Sequence, residues 1–214
     1  MNQLDKRSIF IIGAQKCGTT AIHDLLLSHP ELSLPNIKET HYFSNESLYK
    51  KGLKWYLKHF DLNKKYMCEV DPSYLFFPGT AKRIKDSMLD SKFIVIFRKP
   101  IDRAFSQYLM SCYRGYEKFP FLDALDMEEE RLKNKNNHSS FVNHSYLSRG
   151  YYVDQLNSYL SIFNREDFLF IKFDDLISSK KNKVLLKSIC SFIGVDSTLI
   201  KHELPKSNSK KKIK

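Results

Sequence analysis

Ser8-Ile9-Phe10-Ile11-Ile12-Gly13-Ala14-Gln15-Lys16-Cys17-Gly18-Thr19-Thr20 is the stretch on which the fold turns. Ser8 to Ile12 is a short apolar, β-branched run that stops at a glycine. That is the pattern of a strand buried on both faces of a parallel sheet. Ala21 to Leu27 then reads as a helix, closing near His29-Pro30. A strand that passes through a glycine-bearing turn into a helix exposes the first unpaired amides of that helix, and such amides bind anions.

The same alternation continues along the chain. Phe93 to Phe97 is the clearest further core strand, with Tyr66 to Val70 and Phe168 to Ile171 as additional strands. Helical spacing of apolar residues covers 48–60, 80–89, 121–132, 151–163 and 184–193, and Asn134 to Ser140 reads as a polar loop. Pro100 suits the first turn of a helix with Ile101, Ala104, Phe105, Tyr108 and Leu109 on its core side. The expected fold is α/β with three layers: a central parallel sheet, helices on both faces, and a P-loop-like strand-loop-helix. Ligands are then expected beyond the carboxyl ends of the strands.

The 214 residues suit one domain, drawn as 1–205, followed by a lysine-rich tail at 206–214. At 42% hydrophobic and 28% charged, the chain has ordinary globular composition, which excludes a disordered, collagenous or low-complexity protein. No apolar run is long enough for a transmembrane segment. The polar start Met1 to Arg7 does not read as a signal peptide, so the expected location is cytoplasmic. Cysteines 17, 68, 112 and 190 form no C-x-x-C pair and no metal spacing, so reduced thiols and no metal site are expected. The tail supplies five of the net +11 charges, so the excess alone does not choose among anionic partners.

The loop lysine is the informative departure. A nucleotide-hydrolysing loop, G-x-x-x-x-G-K-[ST], places lysine after the second glycine and a hydroxyl on Mg²⁺. Here Thr19 follows Gly18, and the lysine stands two residues before it, as Lys16. From inside the loop an ammonium group can meet the bridging oxygen of a phosphosulfate and offset charge on a leaving phosphate without a metal. A second anion site is read in Arg98-Lys99-Pro100-Ile101-Asp102-Arg103-Ala104-Phe105-Ser106. Arg98 ends the core strand, and Ser106 lies two turns into the next helix. A guanidinium fork and a hydroxyl suit a terminal phosphate. Arg103 is expected at the surface or beside an acid.

The two motifs in this order, Lys-x-Gly-Thr-Thr and Arg-x-Pro-x-x-Arg-x-x-Ser, resemble those of sulfotransferases that use 3′-phosphoadenosine 5′-phosphosulfate. The resemblance covers roughly residues 8–195. It implies that the phosphosulfate lies on Gln15, Lys16, Cys17, Gly18, Thr19 and Thr20, and the 3′-phosphate on Arg98 and Ser106. Ile37-Lys38-Glu39-Thr40-His41-Tyr42-Phe43 is similar to the Lys-Glu-x-His-Phe-Phe stretch of heparan-type and other carbohydrate sulfotransferases. There the glutamate is the usual base, which implies Glu39, with His41 as the competing candidate because its ordinary pKa is near operating pH. Lys38 is read as an aid to the leaving group or acceptor.

Val70-Asp71-Pro72-Ser73-Tyr74 and Tyr146 to Tyr152 resemble further segments of that family. They imply an acceptor cleft near the first and an Arg149 contact with the donor or an anionic acceptor. His138 and His144 carry no assigned role. The basic residue beside a glycine that closes over the donor in many members has no counterpart after Pro205. The implied reaction moves a sulfuryl group to a hydroxyl or amine, with a carbohydrate such as an oligosaccharide as the favoured acceptor. The implied partners are the nucleotide donor and that acceptor, without nucleic acid. The alternatives are a P-loop kinase or NTPase, with Asp71 as the nearest Mg²⁺ candidate, and an anion- or nucleic-acid-binding module.

Overall fold

The computed structural model describes residues 6–133, 138–178 and 180–200. Its centre is a five-stranded, wholly parallel sheet: β1 (Ser8–Gly13), β2 (Leu32–Ser33), β3 (Tyr66–Val70), β4 (Ser91–Phe97) and β5 (Phe168–Lys172), in spatial order 2-3-1-4-5. All six residues of β1 are buried, as are Phe93 to Ile96 of β4. Runs that are apolar on both faces can lie only where helices cover the sheet on either side. The expected architecture is thus the one found. The two-residue β2, too short to have an apolar pattern of its own, was not foreseen in the sequence.

The helices are α1 (Thr19–Leu27), α2 (Glu46–Tyr49), α3 (Leu53–Leu57), α4 (Thr80–Ser87), α5 (Pro100–Tyr113), α6 (Phe121–Asp126), α7 (Glu128–Lys133), α8 (His138–Asn143), α9 (Tyr152–Leu160), α10 (Phe173–Leu176) and α11 (Asn182–Ile193). Two helices expected to be continuous are each divided. Gly52, at φ 82°, parts α2 from α3 in a conformation a helix cannot contain. A turn at Met127 parts α6 from α7. Residues 138–140, expected in a polar loop, begin α8. The four cysteines are free. No helix among the described residues is long and apolar enough to cross a membrane. The lysine-rich tail lies outside the described residues.

The side of α5 that packs inward differs from expectation. Ile101 and Phe105 are exposed, whereas Arg103, Gln107 and Ser111 are buried with Ala104. Arg103 is therefore neither at the surface nor beside an acid: its guanidinium donates to Gln107 Oε1 (2.7 Å) and to the Tyr146 carbonyl. Gln107 donates to the Val142 carbonyl (3.4 Å) and Ser111 to that of Asn143 (2.7 Å). The chain at 142–146 leaves carbonyls without sheet or helix partners, and a polar stripe satisfies them better than an apolar one would.

Two buried carboxylates complete this seam. Glu128 accepts from the amides of Leu147 (2.5 Å) and Ser148 (2.8 Å). Glu117 accepts from Arg131 (2.5 and 3.1 Å), from Tyr146 Oη (2.8 Å) and from the amides of Lys118 and Phe119.

Burial alone would raise the Glu117 pKa, but the Arg131 pair and these donors outweigh it and pull it to about 2. A carboxyl whose pKa is depressed on folding stabilises the fold above its unfolded value of 4.5, and that contribution is lost as pH falls towards 2. Thermal unfolding between pH 5 and 2 should show the loss. Glu117→Gln should remove this part of the pH dependence and lower stability at pH 7 by about 3 kcal/mol, since Arg131 then loses its charged partner.

Candidate active site

The crevice of this sheet lies where the chain changes direction. From β1 it builds β2 and β3 on one side, then crosses to β4 and β5 on the other. The carboxyl ends of β1 and β4 therefore open a gap between diverging connections. The loop Gly13 to Gly18 fills its floor. Ala14 donates to the Ile96 carbonyl of β4 (2.9 Å) and Cys17 to the Ala14 carbonyl (3.1 Å). Gly18, left-handed at φ 85°, caps α1, where Thr19 and Thr20 begin the helix without backbone acceptors for their amides. Lys16 is itself left-handed at φ 69°, a conformation that costs on the order of 1–3 kcal/mol in a residue with a Cβ. Arg98 at the end of β4 holds it there, donating to the Lys16 carbonyl at 3.1 Å. The Arg98 guanidinium is in turn stacked on Phe173 of α10, 4.6 Å from the ring centre, while Tyr152 Oη donates to the Arg98 carbonyl (3.0 Å).

The opposite wall is the turn 38–41. Glu39 and His41 are both left-handed, at φ 57° and 53°. Two carboxylates spaced by two on β3 and its continuation fasten this turn. Glu69 accepts from the Thr40 amide (3.1 Å) and hydroxyl (2.5 Å), and also from Tyr56 Oη (2.8 Å) and Tyr74 Oη (2.9 Å). Asp71 accepts from the His41 amide (2.8 Å) through Oδ2, which also lies 2.9 Å from His41 Nδ1. Both carboxylates are buried. Burial and the adjacent Asp71 charge push Glu69 up to about 7.

Between the walls lies a cavity of about 480 Å³. Gln15, Lys16, Gly18, Thr19, Thr20, Lys38, Glu39 and Ser106 line it, with Pro72, Met110, Arg114 and Phe173. The loop residues, Ser106 and Glu39, expected from separate stretches, therefore share one space. Lys38 donates to Thr20 Oγ1 across it (2.9 Å). Lys16 Nζ meets Met110 Sδ at 3.7 Å, and among the described residues no carboxylate pairs with it. Burial, with Arg114 and Arg98 nearby, lowers the Lys16 pKa. Burial and Asp71 raise that of Glu39.

Four residues expected at the site are not among those that line the cavity. The Cys17 side chain is fully buried and its amide is used within the loop, so it presents nothing to a ligand. Arg149 is 2% exposed and stacked on Phe76 (4.3 Å), donating to Ser145 Oγ (2.7 Å) and the Phe141 carbonyl. It therefore does not line the cavity. Arg98 braces the loop rather than forming the cavity wall, and His41 is half-exposed outside the lining. Arg114 was missed: a lone arginine after a helix has no periodic or motif signal, and only the end of α5 brings it opposite Glu39.

The family model described as "Sulfotransferase domain" matches residues 6–212. Membrane-associated sulfotransferase kil1 of Dictyostelium discoideum is 36% identical over 109 residues, 49% of this chain and 23% of that protein. Human heparan sulfate glucosamine 3-O-sulfotransferase 3B1 is 30% identical over 189 residues, 86% of this chain and 45% of that protein. The chain spans less than half the length of these curated relatives. A sulfotransferase from Alicyclobacillus acidocaldarius superimposes with a TM-score of 0.79 at 29% identity, covering 98% of this chain and 88% of that one. Mouse sulfotransferase SULT7A1, solved with PAP, shares the fold with a TM-score of 0.56 at 20% identity, covering 91% of this chain and 61% of that one.

The close fit of the loop is open to a direct check. A Cβ on Gly18 would sit 2.7 Å from Leu176 Cδ2 in α10, whereas one on Gly79, also left-handed, meets nothing within 4 Å. Gly79→Ala carries only the backbone strain, about 1–2 kcal/mol. Gly18→Ala should cost at least about 1 kcal/mol more by chemical denaturation, because a packed leucine must move.

Proposed function

The chain belongs to the sulfotransferase domain family, and from that premise we propose that it transfers a sulfuryl group from 3′-phosphoadenosine 5′-phosphosulfate to a hydroxyl or amine, with a carbohydrate as the acceptor class. The observation that carries the reading is that Lys16 and Glu39, from different parts of the chain, face one cavity. An unpaired ammonium on a left-handed loop, followed by the free amides of Thr19 and Thr20, fits a phosphosulfate. When bound, the donor supplies the activated sulfuryl group.

The residues divide the work. Lys16 neutralises the charge that gathers on the departing phosphate as the sulfur–oxygen bond breaks. Burial strips water from this ammonium group, which is also what lowers its pKa. Glu39 takes the proton from the acceptor oxygen or nitrogen as that atom bonds to sulfur in line. Burial and Asp71 raise its proton affinity, which improves a general base near neutral pH. Ser106 on the lining, with Arg98 that braces the loop beside it, receives the 3′-phosphate, and Lys38 and Arg114 give the acceptor side a positive rim. The similarity to a heparan sulfate enzyme supports a carbohydrate acceptor.

Calorimetry with 3′-phosphoadenosine 5′-phosphate against ATP tests the donor. The former should bind and ATP should not compete, and turnover of labelled donor should survive excess EDTA. ATP binding with metal-dependent hydrolysis would instead support a kinase or NTPase. Lys16→Ala should nearly abolish turnover, whereas Arg98→Ala should chiefly weaken donor binding. Glu39→Gln should lower kcat on the order of 10²–10⁴-fold. The acid limb of kcat/KM should stand above the ordinary glutamate value of 4.5, since deprotonated Glu39 is the active form.

A further inference from the structure

A buried carboxylate beside the cavity that lies in neither anion motif joins the two segments of the acceptor wall. Asp71 is 0% exposed, and its carboxylate meets two short segments. Its Oδ1 accepts the amide of Ser73 (3.0 Å). Its Oδ2 accepts the amide of His41 (2.8 Å) and stands 2.9 Å from the ring nitrogen Nδ1. The His41 backbone is thereby fixed in its left-handed conformation and its ring is fixed about χ1 and χ2 by the same oxygen. The ring is 45% exposed, and Nε2 has no protein partner among the described residues. His41 lies two residues from Glu39, in the same fastened turn.

We propose that Asp71 is a positioning residue for the acceptor side of the reaction: it holds the His41 ring with Nδ1–H directed at its own carboxylate, leaving Nε2 as a lone-pair nitrogen beside Glu39 to receive a hydrogen bond from a polar hydrogen of the acceptor other than the one that Glu39 removes. This rests on the sulfuryl-transfer reading above. The chemistry follows from the imidazole itself. A carboxylate accepts hydrogen bonds only, so a neutral ring bonded to it through Nδ1 carries its single proton there. Nε2 is then an acceptor and can orient the sulfuryl acceptor through a second O–H or N–H beside the attacking atom. The proton of the reaction still passes to Glu39.

Asp71 also acts on Glu39 through its charge. The charges that act on Glu39 are those of Asp71, His41, Lys38, Arg114, Lys16 and, from outside the cavity, Arg149; those that act on His41 are Asp71, Glu39 and Glu69. Removing the Asp71 charge lowers the proton affinity of both Glu39 and His41. The acid limb of kcat/KM must then move to lower pH, which loss of folded protein would not produce.

The direct test uses the unaltered protein. Long-range ¹⁵N–¹H NMR above the His41 pKa should show the ring protonated at Nδ1, and a ring protonated at Nε2 would overturn the assignment. Asp71→Asn should lower kcat on the order of 10–100-fold. Its binding of 3′-phosphoadenosine 5′-phosphate should stay within about threefold, and its acid limb should shift to lower pH. In a His41→Gln background the same change should cost little more, because one residue works through the other. Additive losses, or an unmoved acid limb, would overturn it. Should Asp71→Asn fail to fold, the NMR result on the unaltered chain decides alone. Donor calorimetry reports separately on the sulfuryl-transfer reading, since the tautomer of His41 is read without any substrate.

Discussion

Three residues with a Cβ, Lys16, Glu39 and His41, stand in left-handed backbone conformations around one cavity. Each carries a strain on the order of 1–3 kcal/mol, and such residues persist only where neighbours over-determine them. The compensating bonds are specific. Arg98 takes the Lys16 carbonyl, Glu69 takes both donors of Thr40, and Asp71 takes the amide and ring of His41. The strain turns the ammonium and the carboxylate towards the same space, so the chemistry of the site depends on bonds made by residues that do no chemistry themselves.

The sheet supplies the rigid half of those bonds. Glu69 and Asp71 are spaced by two, so both point to the same side where β3 ends. Arg98 follows directly from β4, and β1 delivers the loop between them. Because these strands are buried on both faces, their ends cannot shift without disturbing the core. A buried carboxylate such as Glu69, surrounded by three hydroxyls and an amide, is then a fixed anchor rather than a mobile acid.

A second polar seam, at α5 and residues 142–148, solves a different problem. Its chain is irregular and buried, and its carbonyls and amides need partners. Arg103, Gln107, Ser111, Glu117 and Glu128 provide them. This explains why polar side chains line the inner face of α5 while Phe105 and Ile101 face solvent. It also sets the direction in which α5 ends, and so carries Arg114 to the cavity mouth.

The amino-acid sequence alone determined four of the five strands, the order of the two motif-bearing segments and the choice of Lys16, Glu39, Arg98 and Ser106 as candidates. These are local properties: apolar periodicity, a glycine turn after a strand, and short motifs at fixed spacing. Helix breaks at Gly52 and Met127 were hidden because apolar spacing continued across them. The inward turn of Arg103, the burial of Arg149 and Cys17, and the place of Arg114 were not legible, since each depends on which distant carbonyl or ring a side chain meets. Only the tertiary structure decided that Glu69, read as part of a strand, and Asp71, read as part of an acceptor-cleft segment, would hold the segment 39–41. The physical reason is that hydrogen bonds across thirty residues are set by how strand ends and loops pack, and no local pattern encodes that approach.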